Sequence, residues 1–305
     1  MLLYDVVDVF TDRPFAGNQL AVVHGADDLS AAQCLLIAQE FNFSETSFPS
    51  SSVVAGAEYA TRIFTPGGEI PFAGHPTLGT AWVLRTRGVL TAHEVTQVCG
   101  AGRIGVRFAD PLVELTASPR DLLGPLGDDL VLALLGDLGL ALSDLAGPVW
   151  VAGCGLTFVH LPVVEGAVER AVPSVRPLRE YTDRFAAVGR YADPIEGINL
   201  VHVSGPAPTL SVHARVFVPG LSVPEDPATG SAAAGLGMAL VASGRLPGGG
   251  AYDITQGVEM GRPSLLHGRV EVDLAAPSVA TRCQVAGQVQ HVGRGEIAIP
   301  AEPAS

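Results

Sequence analysis

The sequence predicts an α+β protein of two pseudo-symmetric domains, each a curled, mainly antiparallel β-sheet (an open barrel) around a central buried helix. Three observations carry that expectation. The first is an internal repeat. Arg62-Ile-Phe-Thr-Pro-Gly-Gly-Glu-Ile-Pro71 returns as Arg215-Val-Phe-Val-Pro-Gly-Leu-Ser-Val-Pro224, about half of the 305-residue chain later. Thr96-Gln97 with Gly102-Arg103 returns as Thr255-Gln256 with Gly261-Arg262, and Val113-Glu114-Leu115 as Val270-Glu271-Val272. Three echoes in one order at nearly one offset point to two similar halves. The second is the grammar of short β-rich runs separated by Gly, Pro and Asp turns. The third is a small-residue-rich, almost uncharged helix just after the repeated segment in each half, which has no polar face and so belongs in an interior.

In chain order, Asp5–Phe10 and Leu20–His24 read as strands, Leu29–Phe41 as an ordinary helix and Arg62–Thr65 as a strand. Pro76–Arg85 is the first buried helix, ended by Gly88. Gly100-Ala-Gly102-Arg-Ile-Gly105 matches a dinucleotide-binding pattern, but the strand-like Val106–Pro111 follows where that pattern needs a helix, so it reads as a β-turn. Asp128–Leu142 reads as a second ordinary helix, and Ser231–Leu240 as the second buried one, ended near Gly244. The halves are placed at 1–122 and 123–287, with a C-terminal strand at about 288–305 that returns to the first.

Composition excludes several functions. All 18 basic residues are Arg and the net charge is −13. Without lysine there is no Schiff base with pyridoxal phosphate or a carbonyl substrate, and no Gly-rich Lys-Ser/Thr phosphate loop. The acidic balance argues against nucleic acid and anionic membrane surfaces. Cys34, Cys99, Cys154 and Cys283 are scattered without metal spacing and read as buried free thiols in a reducing compartment. The N-terminal stretch carries Asp5 and Asp8, which makes it a strand and no signal peptide. Leu145–Val164 is uncharged but holds Pro148, Pro162 and His160, which speaks against a membrane span. The expected compartment is the cytoplasm.

The two repeated turns open buried helices, and helix N-termini attract anions through unpaired N–H groups and the macrodipole. They carry Phe72-Ala-Gly-His-Pro-Thr77 and Glu225-Asp-Pro-Ala-Thr-Gly-Ser231. If the halves face each other, the turns converge on one cleft, with His75 and Asp226 as a polar pair. Taken alone, Asp226-Pro227 reads as an N-cap with proline at the first helical position, and His75 as a structural histidine. Their matching places in the repeat favour the site. Glu45, between Phe43 and Phe48, is either a partly desolvated proton shuttle or a surface carboxylate beside a strand. His160, His202 and His213 lie in β-like segments without metal spacing and read as core or edge histidines.

Gly17-Asn18, Phe43-Ser-Glu-Thr46, Arg62-Ile-Phe-Thr-Pro with Ile70-Pro-Phe-Ala-Gly-His-Pro76, Glu225-Asp-Pro-Ala-Thr-Gly-Ser-Ala232, and Gln256-Gly with Met260-Gly-Arg-Pro-Ser264 together resemble the PhzF-like family. This is the phenazine-biosynthesis isomerase and its relatives, with a diaminopimelate epimerase-like fold and an active site between two pseudo-symmetric domains. The resemblance implies isomerisation of trans-2,3-dihydro-3-hydroxyanthranilate, a small anionic cyclic amino acid, without cofactor or metal. It makes Glu45 the acid/base that moves a proton from ring carbon 3 to carbon 1. His75 and Asp226 then bind and polarise the amino and carboxylate groups, and Ser44, Gly74, Thr229, Gly230 and Ser231 contact the substrate. It also implies a homodimer. Gln19 departs from the family pattern, where Pro more often follows Gly-Asn. A racemase or epimerase of this fold is the rival enzyme, but its two opposed cysteines are missing from both turns. A non-catalytic small-molecule binder is the alternative outside enzymes, and the joint presence of Glu45, His75 and Asp226 speaks against it. Positive potential for an anion must come from the helix N-termini and His75, with Arg62 and Arg215 as the arginines to examine.

Overall fold

The computed structural model describes every residue except 52, 53, 121, 175, 182, 183, 186–193, 220–223 and 303–305, so positions 220–223 of the repeated segment lie outside the described residues. The chain divides into two compact units, Met1–Thr116 with Ala286–Ser305, and Ala117–Val285.

The first unit contains β1 (Leu2–Val9), β2 (Asn18–Val23), α1 (Ala31–Phe41), β3 (Glu45–Ser51), β4 (Tyr59–Thr65), β5 (Gly68–Ile70), α2 (Gly74–Thr86), β6 (Glu94–Cys99), β7 (Gly102–Ala109) and β8 (Leu112–Ala117). β1 and β2 pair antiparallel, β2 and β3 parallel, β3 and β4 antiparallel, β4 and β6 parallel, and β6, β7 and β8 form a meander. The short β5 folds back on β4. Helix α2 packs against β1, β2 and β3 and also against β7. Touching strands from both ends of the ladder requires the sheet to curl around the helix, and ten of its thirteen residues are buried. That is why its sequence could dispense with a polar face. The ordinary helix α1 opens on a capping box between Ser30 and Gln33 and ends at left-handed Asn42. Its Cys34, Ile37 and Ala38 pack with Phe48 and Phe64 on the other side of the sheet.

The second unit contains β9 (Leu122–Leu123), α3 (Asp128–Asp137), β10 (Trp150–Cys154), β11 (Leu156–Pro162), α4 (Ala167–Arg170), β12 (Ile195–Ser204), β13 (Thr209–Phe217), β14 (Glu225–Asp226), α5 (Gly230–Ala242), β15 (Gly250–Gln256), β16 (Ser264–Asp273) and β17 (Ala276–Gly287). Along β10, β11, β12, β13, β15 and β16 the pairings run antiparallel, parallel, antiparallel, parallel, antiparallel. That succession is the one found along β1, β2, β3, β4, β6 and β7, so the sequence repeat is a repeat of topology. Helix α5 packs against β10, β11 and β16 and is buried along twelve of thirteen residues. Leu130, Leu134 and Leu138 close a separate core with Val159, Leu161, Ile198 and Leu200. The expected helix to Leu142 stops at Asp137 instead. Gly139 takes a left-handed φ of 69°, and Leu142–Asp144 forms its own 3₁₀ turn.

The final strand, β18 (Val289–Ile297), returns to the first unit and pairs antiparallel with β1, from Leu2 opposite Ile297 to Val9 opposite Val289. Each unit is thus a curled, open, mainly antiparallel sheet around one buried helix. Gly100-Ala101 is the turn between β6 and β7, as expected of a β-turn. All four cysteines are free; Cys34, Cys154 and Cys283 are buried, whereas Cys99 is only half-buried. Among the described residues no helix is long and apolar enough to cross a membrane.

Candidate active site

The expected site residues fall into two groups, one in each unit. In the first unit, Asn42 turns the chain out of α1 so that Ser44 and Glu45 open β3. The parallel ladder sets Glu45 beside Leu20, whose side chain lies against Gly79 of α2, so Glu45 is carried on the inner face. Its side chain is 16% exposed, and Oε2 is buried without a hydrogen-bond partner among the described residues. Burial pushes its carboxyl up to about 7. The surface-carboxylate alternative is therefore wrong.

His75 sits in the first turn of α2, next to Gly74, and is 4% exposed. Its Nε2 lies 3.6 Å from Glu45 Oε2 and 3.3 Å from the Gln19 carbonyl oxygen. Its Nδ1 lies 3.2 Å from Asn18 Nδ2, and Asn18 Oδ1 accepts the Ser44 hydroxyl at 3.0 Å. The preceding Gly17 has φ 69°, and a Cβ there would stand 2.4 Å from the Val9 carbonyl oxygen. Only glycine lets the chain turn so closely into Asn18.

In the second unit, Asp226 ends the two-residue β14, and Thr229 is the N-cap of α5. The N-cap reading of Asp226-Pro227 is thereby corrected: the helix starts three residues later. Asp226 Oδ2 instead accepts the Thr229 hydroxyl at 2.6 Å. Gln256 fastens this turn. Its Nε2 donates to the Asp226 carbonyl at 2.8 Å and to Thr229 Oγ1 at 3.1 Å, and its Oε1 accepts the Thr229 N–H at 3.3 Å. Gly257, with φ 74°, leaves room for the Pro227 carbonyl, which a Cβ would meet at 2.6 Å. Gly230 and Ser231 are the buried first two residues of α5. Neither Ala73, the N-cap of α2, nor Thr229, the N-cap of α5, caps its helix with its own side chain.

Asn18 and Gln256 were missed as site residues, although both lie in the motifs Gly17-Asn18 and Thr255-Gln256. The two arginines do something else. Arg62 makes a bidentate pair with Glu69, and Arg215 with Glu225, each stacked over a phenylalanine, Phe64 and Phe217. They clamp matching strand pairs. Burial pushes His160 down to about 3 and Asn199 holds its Nδ1, so it is a neutral core histidine. A cavity of about 540 Å³ lies along the later turns of α5, lined by Trp150, His160, Leu236 and Leu240, away from Asp226 and Thr229. Among the described residues no group of three or more His, Cys, Asp or Glu is placed to hold a metal.

The family described as phenazine biosynthesis-like protein, PhzC-PhzF, matches residues 7–118 and 148–295. A trans-2,3-dihydro-3-hydroxyanthranilate isomerase of Pseudomonas chlororaphis is 34% identical over 311 aligned positions, covering 97% of this chain and 99% of the relative. The crystal structure of a Bacillus anthracis phenazine biosynthesis protein of the PhzF family matches with a TM-score of 0.81 at 25% identity, over 98% of this chain and 99% of that one. A hydroxyproline epimerase from Agrobacterium vitis shares the fold alone, with a TM-score of 0.64 at 13% identity, over 96% and 91%. With its repeated ladder, its buried central helices and these matches, the chain belongs to the phenazine biosynthesis-like family.

Proposed function

We propose that this isomerase moves a proton between two carbons of a small cyclic amino-carboxylate without a cofactor, and that its substrate is trans-2,3-dihydro-3-hydroxyanthranilate. The observation that carries the reading is Glu45: a buried carboxyl pushed up to about 7, one oxygen unpartnered, 3.6 Å from His75. A carboxyl with that affinity for protons is split between its two forms near neutrality, which is what a group needs to take a proton and return it. The Glu45 carboxylate removes the proton from ring carbon 3, the electron pair spreads into the conjugated system, and protonated Glu45 delivers the same proton to carbon 1. No atom is gained or lost, and Glu45 ends as it began. In this reading Asp226 accepts from the substrate amino group, and the N–H groups opening α5 at Gly230 and Ser231 receive its carboxylate. His75 and Ser44 complete the contacts. A racemase of the two-thiol kind has no cysteine in the turns that hold Ala73-Gly74-His75 and Asp226-Pro227-Ala228.

The test is turnover of trans-2,3-dihydro-3-hydroxyanthranilate by the purified full chain and by Glu45→Gln. Wild-type turnover is expected, with kcat lowered by a factor of about 10² to 10⁴ in the variant. Because Glu45 must start as the carboxylate, kcat/KM is expected to rise with pH to a plateau above about 7. Tight binding without turnover in the wild type, or an active Glu45→Gln, overturns the reading.

A further inference from the structure

We infer that Asn18 is a positioning residue for this reaction: its side-chain amide holds His75 as a neutral imidazole with the ring proton on Nε2, facing Glu45. The chain of hydrogen bonds has a fixed direction because it starts at a group that can only accept. The Gln19 carbonyl oxygen lies 3.3 Å from His75 Nε2, so that nitrogen carries the hydrogen and donates. In the neutral ring Nδ1 is then a lone pair, and the group 3.2 Å away must be a donor, which assigns it to the NH₂ end of Asn18. The oxygen end of the same amide receives the Ser44 hydroxyl at 3.0 Å. Asn18 is 1% exposed and His75 4%, so bulk water is not at hand to replace either partner.

This arrangement resists a second proton on the ring. A hydrogen on Nδ1 would point at the hydrogens of Asn18 Nδ2. Relief requires the amide to turn over and the Ser44 hydroxyl to reverse. Glu45 from β3 is a titratable group that faces the ring, 3.6 Å from Nε2. The N–H on Nε2 is thus given to the Gln19 carbonyl with Glu45 Oε2 close beside it, ready to donate but not to take a proton away. His75 steadies charge while the travelling proton stays on Glu45. Serine beside glutamate in the sequence gains a purpose as well: Ser44 anchors the far end of the relay that orients the imidazole.

The catalytic half of this inference rests on the isomerase reading, whereas the tautomer stands by itself. The experiment is ¹⁵N NMR of the full chain labelled at histidine, with His75 assigned by the signal lost in His75→Gln. At pH 7 the wild type is expected to show an unprotonated Nδ1 and a protonated Nε2. Asn18→Asp replaces the donor by an acceptor of the same shape, and its Nδ1 is expected to become protonated. In turnover the same variant is expected to lose about 10- to 100-fold in kcat, by analogy with partners that orient metal-bound histidines, with KM nearly unchanged. A protonated Nδ1 in the wild type, or a His75 signal unaltered by Asn18→Asp, overturns the assignment. If Asn18→Asp does not fold, the wild-type spectrum still decides. Absence of turnover in the wild type defeats the isomerase reading and leaves the tautomer result intact.

Discussion

Glu45 is stored in a condition that costs the folded protein something at neutral pH. Burial raises its carboxyl from the ordinary 4.5 to about 7, so the folded chain keeps a proton that the unfolded chain has released. Its contribution to stability therefore falls as pH climbs from about 4.5 to about 7 and is flat beyond, by about 3 kcal/mol in all. Glu45→Gln has nothing to ionise. It is expected to exceed the wild type by about 3 kcal/mol at pH 8 and to match it near pH 4.5, in urea unfolding at the two pH values. Equal pH dependence of the two proteins would refute the assigned proton affinity. The sequence showed a carboxylate flanked by Phe43 and Phe48, which is why Glu45 could be singled out. It did not show Asn18, because the contact depends on β2 and β3 lying parallel, with Leu20 beside Glu45. A local pattern carries no record of such pairing.

The repeated element is a strand with an arginine clamp, and the two copies have come to differ in burial. Arg62 and Glu69 are 39% and 40% exposed, whereas Arg215 and Glu225 are 7% and 8% exposed. Arg215 also donates to the Ala171 carbonyl at 2.6 Å. Glu225→Gln leaves a buried guanidinium without its counter-charge and is expected to cost about 3–5 kcal/mol. Glu69→Gln breaks a hydrated pair and is expected to cost no more than about 1 kcal/mol. Chemical denaturation of the two variants checks the contrast, and equal losses would contradict it. The repeat itself was legible because it falls on β4 and β13, where like strands need like residues. Its second echo is less faithful than its letters. Gln97 stands opposite Tyr59, three residues before Arg62, while Gln256 stands opposite Ala214, one residue before Arg215. The shift explains why Gln97 reaches Thr77, inside the first turn of α2, and Gln256 reaches Thr229, the cap of α5. Sequence alignment of a repeat finds equivalent letters; strand register decides which atoms they meet.

At the scale of the molecule, the chain has no lysine and a net charge of −13, and the proposed reaction rests on carboxylates, imidazole and helix ends. Turnover is therefore expected to survive dialysis against EDTA and treatment with hydroxylamine, which strip metals and carbonyl cofactors. Loss of activity in either treatment, restored by adding back the group removed, would contradict a cofactor-free reaction. The pairing of β1 with β18 has a consequence for biosynthesis. β1 leaves the ribosome ahead of every other described strand, and β2 soon pairs with one of its edges, but β18, the antiparallel partner of the other, emerges only after the whole of Ala117–Val285. At roughly 5–20 residues per second, that is a delay of tens of seconds at the slow end. During it, one edge of β1 waits unpaired, in the unit that carries Glu45 and His75. A chain whose synthesis aborts before β18 would contain every proposed catalytic side chain and still lack the strand that pairs with that edge.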